Sequence, residues 1–461
     1  MKSYDIVVIG GGPGGYVAAI KAAQLKAKVA LVEADRIGGV CLNYGCIPTK
    51  TLLRSAKLYQ DMLSAAAFGI DLSAGSNIEL NWEQLMNRKT TVVHKIVSGV
   101  EQLLKFNGID VYKGFGEVVD QHTIKVGDDV LSTKDLIIAT GSRTQFPEIE
   151  GLKESQEMGI VIDSTTAIAL QEQPKTLIIL GGGVIAVEFA TLFNSLGTKV
   201  ILLQRSDQIL KNQDGDVKSL IQRHLVDSGV EIKTGVSLDK ISDHIVHYHD
   251  ERGQHEIFGD KILASLGRTP NLRGLEALNL KHDRKGLVVN ENMQTNLPNV
   301  YAIGDVCGGM MLAHVASAQG IVAVENIFGH DSKMNYRQIP SCIYSFPEVG
   351  AIGYTEEEAR EAGLDIGTSS FPLSANGKAM AEGETVGFVK IIHDKKYGEV
   401  IGVHIVASHA TDMIAEAAAT MALEGTVLDL AKTVHPHPTL SEIVMEAAHG
   451  AVDKPIHLIK K

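Results

Sequence analysis

Cysteine is scarce in this chain, with four in 461 residues. That is too few to staple so long a polypeptide, so a disulfide scaffold is excluded and any bridge is better read as catalytic than structural. Cys307 and Cys342 stand alone and read as small packing residues. Also missing is any run of about 18 apolar residues, the length a membrane-spanning helix needs. No block of Lys and Arg offsets the net charge of -12. A nucleic-acid partner is therefore excluded, because neutralising phosphates takes a clustered basic surface. The N-terminus enters the apolar stretch Asp5 to Ile9 without a signal-peptide core or cleavage site, so the expected location is cytoplasmic. Apolar content of 44% and charged content of 21% are those of a soluble protein. The length exceeds what one hydrophobic core supports and suggests roughly three units.

Glycine, by contrast, is plentiful and patterned. Asp5 to Glu33 reads as strand, glycine turn, helix and strand, and Thr176 to Gln204 repeats that order. The turns are Gly10-x-Gly12-x-x-Gly15 and Gly181-x-Gly183-x-x-Ala186. In such a turn the first glycine permits the bend, the second lets backbone approach a pyrophosphate, and the third position allows close helix-strand packing. The helix N-terminus then faces the phosphates with unpaired N–H groups. The first unit ends its second strand in Glu33, a carboxylate placed for a ribose hydroxyl, whereas the second ends in Gln204 beside Arg205. The second helix is expected over Val187 to Leu196.

These units predict an α/β protein with two Rossmann-like dinucleotide-binding domains and a C-terminal α+β domain. Asp135 to Ser142 reads as a buried strand entering a small-residue turn, and Phe146-Pro147 starts a linker. Lys261 to Arg268 repeats the pattern, and Asn299 to Asp305 is a third strand ending in a carboxylate. After about Ile339 the texture changes: Val386 to Ile392 and Val400 to Val406 read as strands, and Thr411 to Glu424 as a helix. The expected divisions are 1–148, 149–270, 271–338 and 339–461.

Two constellations could carry chemistry. Cys41 and Cys46 close a short loop before a helical pattern, and proximity to a helix N-terminus lowers a thiol pKa and favours the thiolate. A redox-active disulfide is one reading. The other is zinc held by Cys41, Cys46, His435 and His437, although the histidine pair of a structural zinc site is normally spaced wider than His-x-His. Near the C-terminus, Thr439 and Glu442 have capping-box spacing. The same carboxylate could instead orient an imidazole upstream and raise its basicity, as a general base requires.

Gly38 to Lys50, which contains Cys41 and Cys46, together with His437-Pro438-Thr439-Leu440-Ser441-Glu442, resembles the pyridine nucleotide-disulfide oxidoreductases. Within them the likeness is greatest to the branch that oxidises dihydrolipoamide. It covers essentially the whole chain, since Ala139 to Ser142, Gly304-Asp305 and Met311 to His314 also fall in family order. The resemblance implies a homodimer whose domains bind FAD and nicotinamide, with a central domain (271–338) completing the FAD site and an interface domain (339–461) at the end. Cys41 would be the interchange thiol and Cys46 the thiol that touches the flavin. His437 with Glu442 would be a base pair donated across the dimer. Lys50 and Glu188 match the family's ion pair beside the flavin, and Asp305 the carboxylate that binds its ribitol. Thr140, Gly141, Arg268, Met311, Leu312 and Ala313 would, by the same resemblance, be further cofactor positions. The partner implied is a lipoylated protein of a 2-oxoacid dehydrogenase or glycine cleavage complex, with no metal. NAD is the expected acceptor, discriminated from NADP less strongly than a glutamate at position 204 would achieve. The rivals are an NADPH-driven reductase of another disulfide, such as glutathione, and a zinc-stabilised nucleotide-binding protein without enzymatic activity.

Overall fold

A computed structural model describes residues 1–71 and 78–459. The first unit comprises β1 (Lys2–Ile9), α1 (Pro13–Gln24), β2 (Val29–Glu33), α2 (Gly39–Asn43), α3 (Cys46–Leu63) and α4 (Trp82–Phe106). Strands β3 (Asp110–Lys113), β4 (Gly116–Asp120), β5 (Thr123–Val126) and β6 (Asp129–Ile138) follow. The sheet order is β3-β2-β1-β6-β5-β4, with β1 parallel to both neighbours. Successive residues Val7 and Val8 are both fully buried, as the central strand of a sheet covered on both faces requires.

The chain leaves this unit through β7 (Ser142–Thr144) and returns through Arg268–Pro270, two short strands that pair antiparallel. Between them lies a parallel sheet in the order Glu231–Lys233, Lys199–Leu203, Thr176–Leu180, Lys261–Ala264, Val161–Ile162. The helix after its glycine turn is Val184–Ser195, which begins before the expected Val187 because Gly183, extended at φ -81° and ψ -172°, already serves as the N-cap. After the return, Val300–Ala302 adds to the first sheet beside β6. The helix Ala313–Ile327 then packs on α1 so closely that a Cβ on Gly320 would lie 2.8 Å from the Gly14 carbonyl oxygen.

The second unit also carries a three-stranded antiparallel meander, Ser237–Ser242, Ile245–Asp250 and Gly253–Phe258, that the sequence does not announce. Its apolar positions Ile241, Val246 and Tyr248 are interspersed with charged and imidazole side chains, so no long apolar run marks it. The C-terminal region is α+β as expected. Its antiparallel sheet runs Ser341–Ile343, Glu348–Gly353, Val400–Ala407, Phe388–Asp394, Ile366–Pro372, accompanied by the helices Ala410–Ala422 and Glu442–Val452. No helix among the described residues is long and apolar enough to cross a membrane.

One core crosses these regions. Leu52, Leu53 and Ala56 of α3 meet Phe189 and Phe193 of the second unit and Ile343, Val349 and Val406 of the C-terminal sheet. Phe193→Ala should therefore lower unfolding stability by roughly 3–5 kcal/mol, the cost of emptying a large buried site. Denaturant titration measures this, and a loss below about 1 kcal/mol would mean that the shared core does not fasten the regions together.

Candidate active site

The first glycine turn is fixed by sterics. Gly10 has φ +106°, and a Cβ there would come within 2.1 Å of the Ala139 oxygen; one on Gly15 would come within 1.7 Å of the Gly10 oxygen. Helix α1 starts at Gly12 with no side-chain cap and no acidic residue in its first turn. Its N–H groups remain available to an anion. Glu33 reaches across the turn, accepting from the Gly11 N–H at 2.6 Å and from the Asp35 N–H at 2.7 Å.

The cysteine loop is fastened to this turn. The Gly38 N–H donates to the Gly11 oxygen at 2.8 Å, and a Cβ on Gly39 would stand 2.8 Å from Gly12 Cα. Asn43, buried, donates to the Ile37 and Gly39 oxygens at 2.9 and 3.0 Å and holds α2 in shape. Cys41 lies in α2 and Cys46 opens α3, both as free thiols.

The two thiols are electrostatically unlike. A hydrogen bond to Cys46, with burial, drives the Cys41 pKa up. The same bond, assisted by the Lys50 ammonium and opposed by burial, brings Cys46 down to about 7. Lys50 lies one helical turn beyond Cys46, a spacing that puts the two on one face of α3. Its Nζ is 2.8 and 2.9 Å from the carboxylate oxygens of Glu188, which is 5% exposed on the helix Val184–Ser195. Tyr344 completes this cluster: its ring centroid lies 4.4 Å from Lys50 Nζ, and its N–H donates to Glu188 Oε1 at 3.1 Å. The sequence carried no signal for Tyr344, which is 156 positions from Glu188. Burial pushes Cys307 up to about 12 and Cys342 up to about 11, so neither is a thiolate near neutral pH.

Asp305, in a short turn of helix after Val300–Ala302, accepts from the Ser142 hydroxyl. Arg268 donates to Ser142 Oγ at 2.7 Å and to the Ser142 oxygen at 2.9 Å, and its Nε stands 3.9 Å from Asp305. Ser142 thus ties two predicted positions together, a role its place in the Ala139–Ser142 segment did not disclose. Thr140 Oγ1 donates to the Asn271 oxygen at 2.6 Å, and Gly141, at φ +71°, accepts from the Asn271 N–H at 2.9 Å. Met311 precedes Leu312, the N-cap of the helix that opens at Ala313, again without a side-chain cap or an acidic first turn.

In the second unit Gly181 has φ +107° and a Cβ there would meet the Ser265 oxygen at 2.5 Å, while nothing lies within 4 Å of one on Gly183. Ala186, at the third position, is fully buried. The Gln204 amide donates to Ser206 Oγ, and Arg205 is exposed.

His437 and Glu442 meet: Nδ1 is 2.9 Å from Glu442 Oε1. The other oxygen, Oε2, accepts from the Thr439 N–H at 2.8 Å. The two readings of Glu442 are therefore compatible, one oxygen for each. The capping box is only half formed, because the helix begins at Glu442 with Ser441 as N-cap and Thr439 Oγ1 turns to the Pro436 oxygen rather than accepting from the Glu442 N–H. Burial disfavours the Glu442 charge, but the Thr439 N–H and His437 prevail and lower its pKa. The His437 side chain is 81% exposed. His435 is instead covered, with Nε2 2.8 Å from Glu416, whose hydrogen bond raises its pKa against burial. Among the described residues no three or more His, Cys, Asp or Glu side chains gather as metal ligands. The four zinc donors do not converge in one chain.

Residues 4–320 match the family described as pyridine nucleotide-disulphide oxidoreductase, and residues 339–448 match its dimerisation domain. The chain belongs to this family. A dihydrolipoyl dehydrogenase of Mycoplasma pneumoniae is 40% identical over 98% of this chain and 99% of its own length. One from Bacillus subtilis is 41% identical over 99% of this chain and 98% of its own. Among solved structures, LpdA from Mycobacterium tuberculosis superposes with TM-score 0.88 at 26% identity, covering 98% of this chain and 99% of that one. The HOCl-induced flavoprotein disulfide reductase RclA from Escherichia coli, as its Cu(II) complex, gives 0.86 at 29% identity, covering 97% and 99%. In this pyridine nucleotide-disulphide oxidoreductase the thiol loop is fastened to the first glycine turn, and the Lys50–Glu188 pair ties it to the helix that follows the second.

Proposed function

We propose that this chain is a dihydrolipoyl dehydrogenase, oxidising protein-bound dihydrolipoamide to lipoamide with FAD and NAD. The observation that carries the reading is the Cys41–Cys46 pair clamped onto the first glycine turn, one thiol held protonated and the other near neutrality. The residues present suit FAD: uncapped helix starts at Gly12 and Leu312 offer N–H groups to an anion, Glu33 faces the turn, and Asp305 lies beside Ser142. Gly10, Gly12, Gly15, Thr140, Gly141, Met311 and Ala313 would line it, with Lys50 and Glu188 alongside. Bound FAD supplies the two-electron relay between the dithiol and the nicotinamide.

The chain's own groups perform the thiol chemistry. His437, oriented by Glu442, takes a proton from one substrate thiol. The resulting thiolate attacks Cys41 Sγ of the disulfide, forming a mixed disulfide and releasing Cys46 as a thiolate. The second substrate thiol then attacks the substrate sulfur bound to Cys41, its proton passing to the departing Cys41 sulfur. Lipoamide leaves, with Cys41 as a thiol, Cys46 as a thiolate and the first proton on His437. Lys50 favours the Cys46 anion, which would meet the bound flavin. Because His437 is exposed on its own chain, it is assigned to the thiols of a second protomer, consistent with the matched dimerisation domain. The lipoylated partner belongs to a 2-oxoacid dehydrogenase or glycine cleavage complex, and the location is the cytoplasm. The test is reduction of NAD by dihydrolipoamide with purified protein; absence of turnover in FAD-loaded protein would overturn the reading.

Gln204 and Arg205 keep a second reading in view, that of an NADPH-driven disulfide reductase. Gln204 removes a carboxylate that would repel a 2′-phosphate, and exposed Arg205 adds a cation able to pair with one. NAD is expected as the better acceptor, and Gln204→Glu should widen its margin in kcat/KM over NADP. Strong NAD preference unchanged by Gln204→Glu and by Arg205→Ala would show that neither position sets the choice. A parent that prefers NADP would favour the second reading.

A further inference from the structure

Lys390, on the strand Phe388–Asp394, is an ammonium group with 7% of its side chain exposed. Its Nζ lies 3.0 Å from Asp214 Oδ1, 2.8 Å from Asp216 Oδ2 and 2.8 Å from Glu356 Oε2. Asp214 is wholly buried, and its oxygens also accept from the Asp216 and Glu356 N–H groups, both at 3.1 Å. Burial opposes the Lys390 charge, but the hydrogen bonds to Asp216, Glu356 and Asp214 raise its pKa above the ordinary lysine value. Buried ion pairs are poor sources of net stability compared with apolar packing. What distinguishes this one is its position.

Asp214 is the N-cap of the helix Gly215–Asp227 and ends the loop that starts beside Gln204 and Arg205. That loop folds back on the second glycine turn. The Leu210 N–H donates to the Gly182 oxygen at 2.7 Å, and a Cβ on Gly182 would meet Ile209 at 3.0 Å. The Gln213 N–H then donates to the Leu210 oxygen at 2.8 Å. Lys218, on the same helix, makes a second tie to the C-terminal region through Glu357 at 3.2 Å. The loop is thus anchored at its middle to the glycine turn and at its end to the C-terminal sheet, 176 positions away in sequence.

We propose that Lys390 is a positioning residue for the nicotinamide nucleotide: through Asp214, the C-terminal sheet sets the loop 205–213 that walls the adenosine side of the second glycine turn. The inference deepens the proposed function and rests on its assignment of the second unit to the nicotinamide nucleotide. A residue that transmits coupling in this way shifts affinity by about 2- to 30-fold.

The experiment uses full-length, FAD-loaded Lys390→Met. Both KM and Kd for NAD should rise within that range, while the single-turnover reduction by dihydrolipoamide without nucleotide keeps its parental rate. Lys390→Arg, which keeps the cation, should recover most of the NAD affinity. If Lys390→Met does not fold, Glu356→Gln leaves Asp214 paired and should shift NAD affinity less, in the same direction. Unchanged NAD affinity in the folded variants overturns the proposal, as does an equal loss in both half-reactions. A parent that binds neither nicotinamide nucleotide instead overturns the assignment of the second unit, and the proposal with it.

Discussion

Replacing His437 by Gln is expected to slow dihydrolipoamide oxidation by about 10² to 10⁴, the usual contribution of a positioned general base. The expectation rests on the 2.9 Å contact between Nδ1 and Glu442, which leaves Nε2 on an 81% exposed ring for the substrate proton. Glutamine keeps comparable size without titrating. Reduction of bound FAD by reduced nicotinamide does not use this base and should change little. Stopped-flow measurement of the two half-reactions separates the effects. Near-normal dihydrolipoamide oxidation would leave Glu442 a purely local tie for the Thr439 N–H and His437 a surface residue. Subunit mixing tests the assignment across protomers: inactive Cys41→Ser and inactive His437→Gln chains should together regain part of the activity. No recovery despite proven exchange would place the base and thiols in the same chain.

Either Cys41→Ser or Cys46→Ser should abolish dithiol oxidation, since exchange needs both sulfurs. Their spectra should nevertheless differ. A thiolate facing oxidised flavin gives long-wavelength absorbance, so Cys41→Ser should show it and Cys46→Ser should not. The reverse pattern would exchange the assignments of the two sulfurs. In the reduced parent the sign with pH follows from the Cys46 pKa of about 7, lowered from the thiol value of 9.0. The anion, and the absorbance with it, should be present above about 7 and disappear as pH falls through that value. Titrating the band checks this; a midpoint near 9 would mean that Cys41 and Lys50 do not stabilise the Cys46 anion.

What could be read in the sequence was local. The strand, glycine turn and helix of each unit declare themselves because the positive φ at Gly10 and Gly181 is a local backbone requirement that glycine meets. The His437–Glu442 pair, five positions apart, was equally open to inspection. Lys50–Glu188 spans 138 positions, and its pairing came from the family resemblance rather than from any spacing. Tyr344, Ser142 and Lys390 have roles set by elements that meet only in the folded chain. Thr439 fulfils only half of the capping box its spacing suggests: Glu442 accepts its N–H, but its hydroxyl turns to the Pro436 oxygen, and the other Glu442 oxygen goes to His437.

The most direct measurement is an anaerobic titration of the purified, FAD-loaded parent with dihydrolipoamide, followed by visible absorbance and then by addition of NAD. One equivalent of dithiol should raise the long-wavelength band, and NAD should remove it while forming an equivalent of NADH. A protein that binds no flavin, or whose flavin spectrum is untouched by dihydrolipoamide while Cys41 and Cys46 are shown to start as a disulfide, would contradict the account.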